Sequence, residues 1–189
     1  MNDYISYSVL TGVNIILRKA EEDDWKSMFR HVWSNENVYR QMLFQPSFSE
    51  SEAIERCKRS VIYQQNNYAW FVALKETKEA IGLCAIKETE KGHWEEVGIC
   101  IGNEFWGRGL GTEILSLLLD LSFNHLGAEV FRYGFFNDNR RSGNLARKFG
   151  FTYDRTEKII RPWDGEEKTV ISCILTKERY LSATDPSSN

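Results

Sequence analysis

Several kinds of sequence signal are scarce or missing in this 189-residue chain. Proline occurs only three times and no Pro/Ser-rich tract divides the interior, so the reading is one domain over residues 1–182 followed by a disordered tail, 183–189. The four cysteines, Cys57, Cys84, Cys100 and Cys173, form no Cys-x-x-Cys pair and fall mostly in apolar strand-like runs. That pattern argues against a disulfide framework and against zinc, and for small buried hydrophobes. No apolar run reaches the ~18 residues of a membrane span, and there is no signal-peptide pattern. Basic tracts are also missing. With 24 Lys and Arg against 27 Asp and Glu, the net charge is −3, which disfavours a nucleic-acid surface and permits cationic substrates. A cytoplasmic protein with neither nucleic-acid nor membrane partners follows.

What the chain does have is Phe105-Trp106-Gly107-Arg108-Gly109-Leu110-Gly111-Thr112, with three glycines in five residues. The β-branched run Glu96 to Gly102 precedes it, and a leucine-rich stretch too long for a strand, Thr112 to Leu126, follows. Glycines at such a strand-to-helix junction can aim several backbone N–H groups at one point, and the helix adds the positive end of its dipole. A phosphate or pyrophosphate is the favoured guest. Of two familiar nucleotide motifs, the P-loop fails on spacing and a dinucleotide site is a poor second. A P-loop needs a lysine before Thr112, and the acidic residue of a dinucleotide fingerprint would end the next strand, whereas Glu129 precedes it.

The remaining pattern predicts a strand at Asn14–Arg18 and a helix from Asp24 to Trp33 behind an acidic run. A second helix is expected to open at Ser49, with Glu52 three residues on, and to run to about Gln64. Strands at Ala69–Lys75, Ala80–Lys87 and Glu95–Gly102 form an antiparallel meander. Val130–Phe135 pairs parallel with the last of these. A short helix Arg141–Phe149 and strands Phe151–Arg161 and Lys168–Leu175 close the chain. The fold class is α/β (α+β): a mixed, mostly antiparallel central sheet flanked by helices.

Trp106-x-x-Gly109-x-Gly111 followed by Thr112-Glu113 resembles the pyrophosphate loop of the GNAT superfamily of acyl-CoA-dependent N-acetyltransferases. The aromatic-Trp-Gly-x-Gly form resembles the branch of ribosomal-protein N-terminal and spermidine acetyltransferases. Three further segments are similar in the same order: Leu17 to Asp24, Asn139 to Phe151, and Trp163-Asp164-Gly165 with the strand and helix start after it. Together they cover roughly residues 14 to 181. The resemblance implies acetyl-CoA as co-substrate, with Trp106, Gly107, Arg108, Gly109, Leu110, Gly111 and Thr112 at its phosphates. It also implies main-chain contacts from Ile99 and Ile101 to the pantetheine, and Asn139 and Ser142 holding the same arm. Homodimer formation stays open.

The implied chemistry is direct attack of an amine on the thioester. An amine of pKa ~10.4 costs ~4.6 kcal/mol to deprotonate at pH 7, an α-amine of pKa ~7.7 only ~1 kcal/mol, so the demand on a base depends on the acceptor. Glu96 is the first candidate base, with Glu95 and His93 as alternatives. A backbone N–H near Ile99 would stabilise the oxyanion. Ala146 stands seven residues after Asn139, where the superfamily commonly has a tyrosine that protonates the thiolate, so Ser142 takes that role. Expected acceptors are a small-molecule amine or a peptide or protein amine, met by an N-terminal third rich in aromatics, Trp25, Phe29, Trp33, Tyr39, Phe44, Phe48 and Tyr68. Glu36 and Glu104 are candidates to read positive charge. A non-catalytic acyl-CoA-binding sensor is the alternative.

Overall fold

Residues 7–184 are described by the computed structural model. They fall into two compact units, one running to Lys87 and including Val97–Leu117, the other made of Glu88–Glu96 and the chain from Leu118 onward.

In the first unit, strands β1 (Val9–Thr11), β2 (Ile15–Arg18), β3 (Ala69–Leu74) and β4 (Ala80–Glu90) pair antiparallel in sequence order. Period-two alternation sends Ile15 and Leu17 of β2 wholly into the interior. Strand β3 has no such alternation, because Trp70, Phe71, Val72 and Ala73 are all buried and both of its faces are covered. The helix expected from Asp24 is realised as α1 (Trp25–Met28) continued by a wider π-helical turn, Phe29–Trp33, which closes through the Ser34 N–H onto the Phe29 carbonyl. A single turn, α2 (Glu36–Tyr39), follows it. Helix α3 (Glu50–Gln65) starts where the sequence indicates: the Ser49 hydroxyl accepts from the Glu52 N–H, and the Glu52 carboxylate accepts from the Phe48 N–H at 2.7 Å. Met28, Val32, Trp33, Ala53, Cys57 and Phe71 form the core of this unit.

Strand β5 (His93–Ile101) returns from β4 through a tight turn at Gly92, which has φ +78°. Near its end, Gly82 of β4 lets the two backbones close in, since a Cβ there would lie 2.2 Å from the Cys100 carbonyl oxygen.

In the second unit the start of β5 pairs parallel with β6 (Val130–Phe136), over His93–Glu95 against Val130–Arg132. Helix α4 (Leu110–Asp120) leads into this unit and ends in a π-helical turn, Leu121–His125, before Gly127. After helix α5 (Arg140–Lys148), strands β7 (Thr152–Ile160) and β8 (Glu167–Thr176) form a hairpin. The later strand, β8, is the one that pairs with β6. At the hairpin tip the buried Arg161 guanidinium is gripped by Asp164 and Glu166 and lies over the Trp163 ring. Helix α6 (Lys177–Thr184) docks Tyr180 on Phe123 with ring centroids 4.7 Å apart. The rest of the expected tail, from residue 185, lies outside the described residues.

The strand neighbours therefore run β1-β2-β3-β4-β5-β6-β8-β7. The mostly antiparallel sheet with one parallel pair is the one the sequence predicts, whereas β1 and the place of β8 between β6 and β7 go beyond the sequence pattern. All four cysteines are buried and none forms a disulfide. Among the described residues, no helix is long and apolar enough to cross a membrane.

Candidate functional site

The glycine turn is built onto the end of β5. Trp106 follows a short helical turn, Asn103–Phe105, and its indole Nε1 donates to the Ile101 carbonyl at 3.1 Å while its ring packs on the core. A tryptophan suits this place because it brings a donor and a large apolar face together. Gly107 and Gly109 take φ +77° and +79°, and a Cβ added at either would meet nothing within 4 Å. Backbone conformation, not crowding, requires glycine there, and the turn is left open in front of both.

Gly111 differs from its two neighbours. It lies in the first turn of α4, which begins at Leu110, two residues earlier than the sequence indicated. Glu113 donates its N–H to the Gly109 carbonyl at 3.1 Å, so the amides of Leu110, Gly111 and Thr112 precede that bond in the first turn of the helix. Arg108 folds back, donating to the Glu104 carbonyl at 2.9 Å with its guanidinium over the Phe105 ring.

Two carboxylate clamps brace this turn, and sequence reasoning found neither. His31 is buried, with Nδ1 against the Glu104 carboxylate, Nε2 3.0 Å from Glu79, and its ring edge-on to Phe105. Both ring nitrogens thus face carboxylate oxygens. The hydrogen bond from His31, opposed by partial burial and helped by Arg30, holds Glu79 below the usual glutamate range. Glu113 of α4 accepts from the Asn14 N–H at 2.8 Å, the Asn14 side chain at 3.0 Å and the Ile15 N–H at 3.2 Å. Burial works to raise the Glu113 carboxyl, but these bonds together bring it below its ordinary value.

On β5, Ile99 is half-buried and Ile101 is buried. Gly98 has φ +154°, which side-chain-bearing residues rarely adopt, and a Cβ there would stand 3.4 Å from the Met42 methyl.

In the second unit, the parallel ladder of β5 with β6 covers His93, Trp94 and Glu95, and Glu96 comes next. Glu96 is half-buried, and its charge is felt by Tyr133 on β6. Burial first, then Glu96, push the Tyr133 hydroxyl far above the usual tyrosine range, while a hydrogen bond with Ser142 pulls the other way. Ser142 sits in the first turn of α5, where Asn139 is the N-cap and accepts from the Ser142 N–H at 3.2 Å. Ala146 is buried one turn further on. Three side chains from three elements thus converge: Glu96, Tyr133 and Ser142. His93 and Glu95, the alternative bases, are half-buried at the ladder, with register partners Val130 and Arg132. Tyr133 escaped the sequence reading because it sits in an apolar strand. The available signal was its hydroxyl, which needs a partner once the ring is buried.

The family described as acetyltransferase (GNAT) domain matches residues 14–152. The chain belongs to this GNAT family. The GNAT chain is similar to the uncharacterized N-acetyltransferase YoaA of Bacillus subtilis (strain 168), with 28% identity over 160 residues, covering 83% of this chain and 88% of the relative. In fold it is similar to a GCN5-related N-acetyltransferase from Brucella melitensis (TM-score 0.78, 17% identity, 92% and 80% of the two chains covered). It is likewise similar to RimL, a ribosomal L7/L12 α-N-protein acetyltransferase solved with coenzyme A (TM-score 0.73, 20% identity, 89% and 97% covered). The protein is an acetyltransferase.

Proposed function

We propose that this acetyltransferase moves an acetyl group from acetyl-CoA directly to a primary amine: a peptide or protein N-terminal amine, a polyamine or an amine-bearing antibiotic. Acetyl-CoA supplies the acetyl group as an activated thioester. The observation that carries the reading is the turn at Gly107 and Gly109, open in front and followed by the N-terminal amides of α4. Such a turn fits a pyrophosphate, with Trp106 to Thr112 as the cradle. Glu96 acts as the base for the amine, and backbone groups near Ile99 and Ile101, with Asn139, orient the acyl arm. Ser142 delivers the proton to the departing sulfur. Tyr133 holds the Ser142 hydroxyl and resupplies it, regaining in turn the proton that Glu96 took from the amine, which answers the missing tyrosine at Ala146. The similarity to RimL supports an N-terminal amine among the acceptors.

The test is calorimetric titration with acetyl-CoA, followed by thiol release in a pooled amine library. Micromolar binding with acceptor-dependent release is expected. Binding without release from any amine would make the protein an acyl-CoA sensor, and no binding at all would remove the reading.

A further inference from the structure

Arg56 is a half-buried cation without a carboxylate partner among the described residues. Its guanidinium lies 4.4 Å from the Phe44 ring centre and 5.1 Å from that of Trp33, and among the described residues it donates to the Gln45 carbonyl at 2.6 Å. A guanidinium has five N–H donors, so most of the planar fork that matches a carboxylate is left over. Burial pushes it down to about 10, with Cys100 of β5 opposing, so it is charged at neutral pH. Beneath it the Trp33 indole N–H is also buried and without an acceptor among the described residues. Nearby acids are engaged elsewhere: Glu52 accepts from the Phe48 N–H, and Glu55 pairs with Lys58.

The surroundings have room for a ligand. Between α3 and the loop at 45–47 lies a cavity of about 750 Å³ bordered by Arg56, Arg59, Ser47, Ser60 and Tyr63. The same stretch of chain reaches the middle of β5, because Met42, two residues before Phe44, packs at Gly98. Glu52 and Glu55 also border the cavity and balance its two arginines, which favours a singly charged anion over a phosphate dianion.

We infer that Arg56, stacked on Phe44 and Trp33, is the receptor for a carboxylate carried by the acceptor amine, so that the preferred acceptor is an amino acid or a short peptide with a free carboxylate and not a polyamine. This rests on the transferase reading and narrows it.

The experiment compares kcat/KM for matched acceptors, free amino acids and the same amino acids as carboxamides, in wild type, Arg56→Met and Arg56→Lys. Wild type turns over the acid at least tenfold better than the amide. Arg56→Met brings the ratio to about one, mainly by raising KM for the acid, with acetyl-CoA affinity unchanged, and Arg56→Lys retains part of the preference. Equal use of acid and amide by wild type overturns the inference and leaves the transferase intact, whether or not the variants fold. If acetyl-CoA binds but no amine is acetylated, the transferase reading fails instead. Tryptophan-fluorescence titration with an N-acetylated amino acid, the expected product, then decides for Arg56: a saturable change lost in Arg56→Met sustains the carboxylate site, and no change ends it.

Discussion

Tyr133 is where a side chain's surroundings matter more than its identity. A free phenol already keeps its proton at neutral pH; burial and the charge of Glu96 hold this one still more firmly, while the hydrogen bond with Ser142 works against them. If it works through Ser142, the two substitutions should differ in size. Ser142→Ala is expected to lower kcat by about 100-fold with acetyl-CoA affinity unchanged, the low end of what a general acid supplies. Tyr133→Phe, one step removed, should cost about tenfold in kcat. Stopped-flow thiol release measures both, and an unchanged kcat in Ser142→Ala would return proton delivery to solvent. Glu96→Gln should depress kcat/KM most for a lysine-like amine below its pKa, where proton removal is dearest, and much less for an α-amine. A pH profile identical to wild type would take the base role from Glu96. None of these partnerships shows in the chain order, since Glu96, Tyr133 and Ser142 come from two strands and a helix.

The turn before α4 is a different kind of object, since its backbone angles carry the argument. Gly109→Val places a β-branched residue in the left-handed region, at a cost of ~1–2 kcal/mol. No neighbour crowds the new side chain, so the fold should survive with a lower melting temperature. The same side chain stands in front of the turn, and acetyl-CoA affinity should fall at least tenfold by calorimetry. Normal binding by a folded Gly109→Val protein would remove this turn from the phosphate site. This element was legible because glycine spacing and helix onset are local. Ser49 was legible as a cap for the same reason, its hydroxyl meeting an amide three residues away. Less legible was the division of labour among the glycines. The onset of α4 at Leu110 puts Gly111 inside the helix, and a run of glycines does not announce where hydrogen bonding begins. The apolar spacing after Asp24 predicts one continuous helix, because it does not distinguish an α turn from the π turn that closes it.

Acid should act first on the elements around the turn. Glu79 and Glu113 both have carboxyl groups held below the ordinary value in the folded protein. A depressed folded-state pKa gives stability that is present above the unfolded value, ~4.3, and is lost as pH falls through the folded value. Thermal melts should therefore fall steeply below about pH 4.3, and Glu79→Gln with Glu113→Gln should flatten that limb while lowering the plateau at pH 7. A limb of wild-type steepness in the double variant would show that other carboxylates govern acid unfolding.

Over the whole molecule, strands β2 to β8, helices α3 to α5, the parallel return to β5, the cap of α3 and the glycine turn before α4 follow from patterns a few residues long, because periodicity, glycine angles and helix ends are short-range physics. The clamp from His31 to Glu104 joins positions 73 residues apart, and Arg30 and Glu79 are 49 apart. Arg56 gives no sign in the chain that its cage will hold Phe44 and Trp33 and no acid. Such pairings depend on which side chains the packed backbone brings within 3 to 5 Å of each other, and at that range a charge, a proton or an unanswered donor acquires its function.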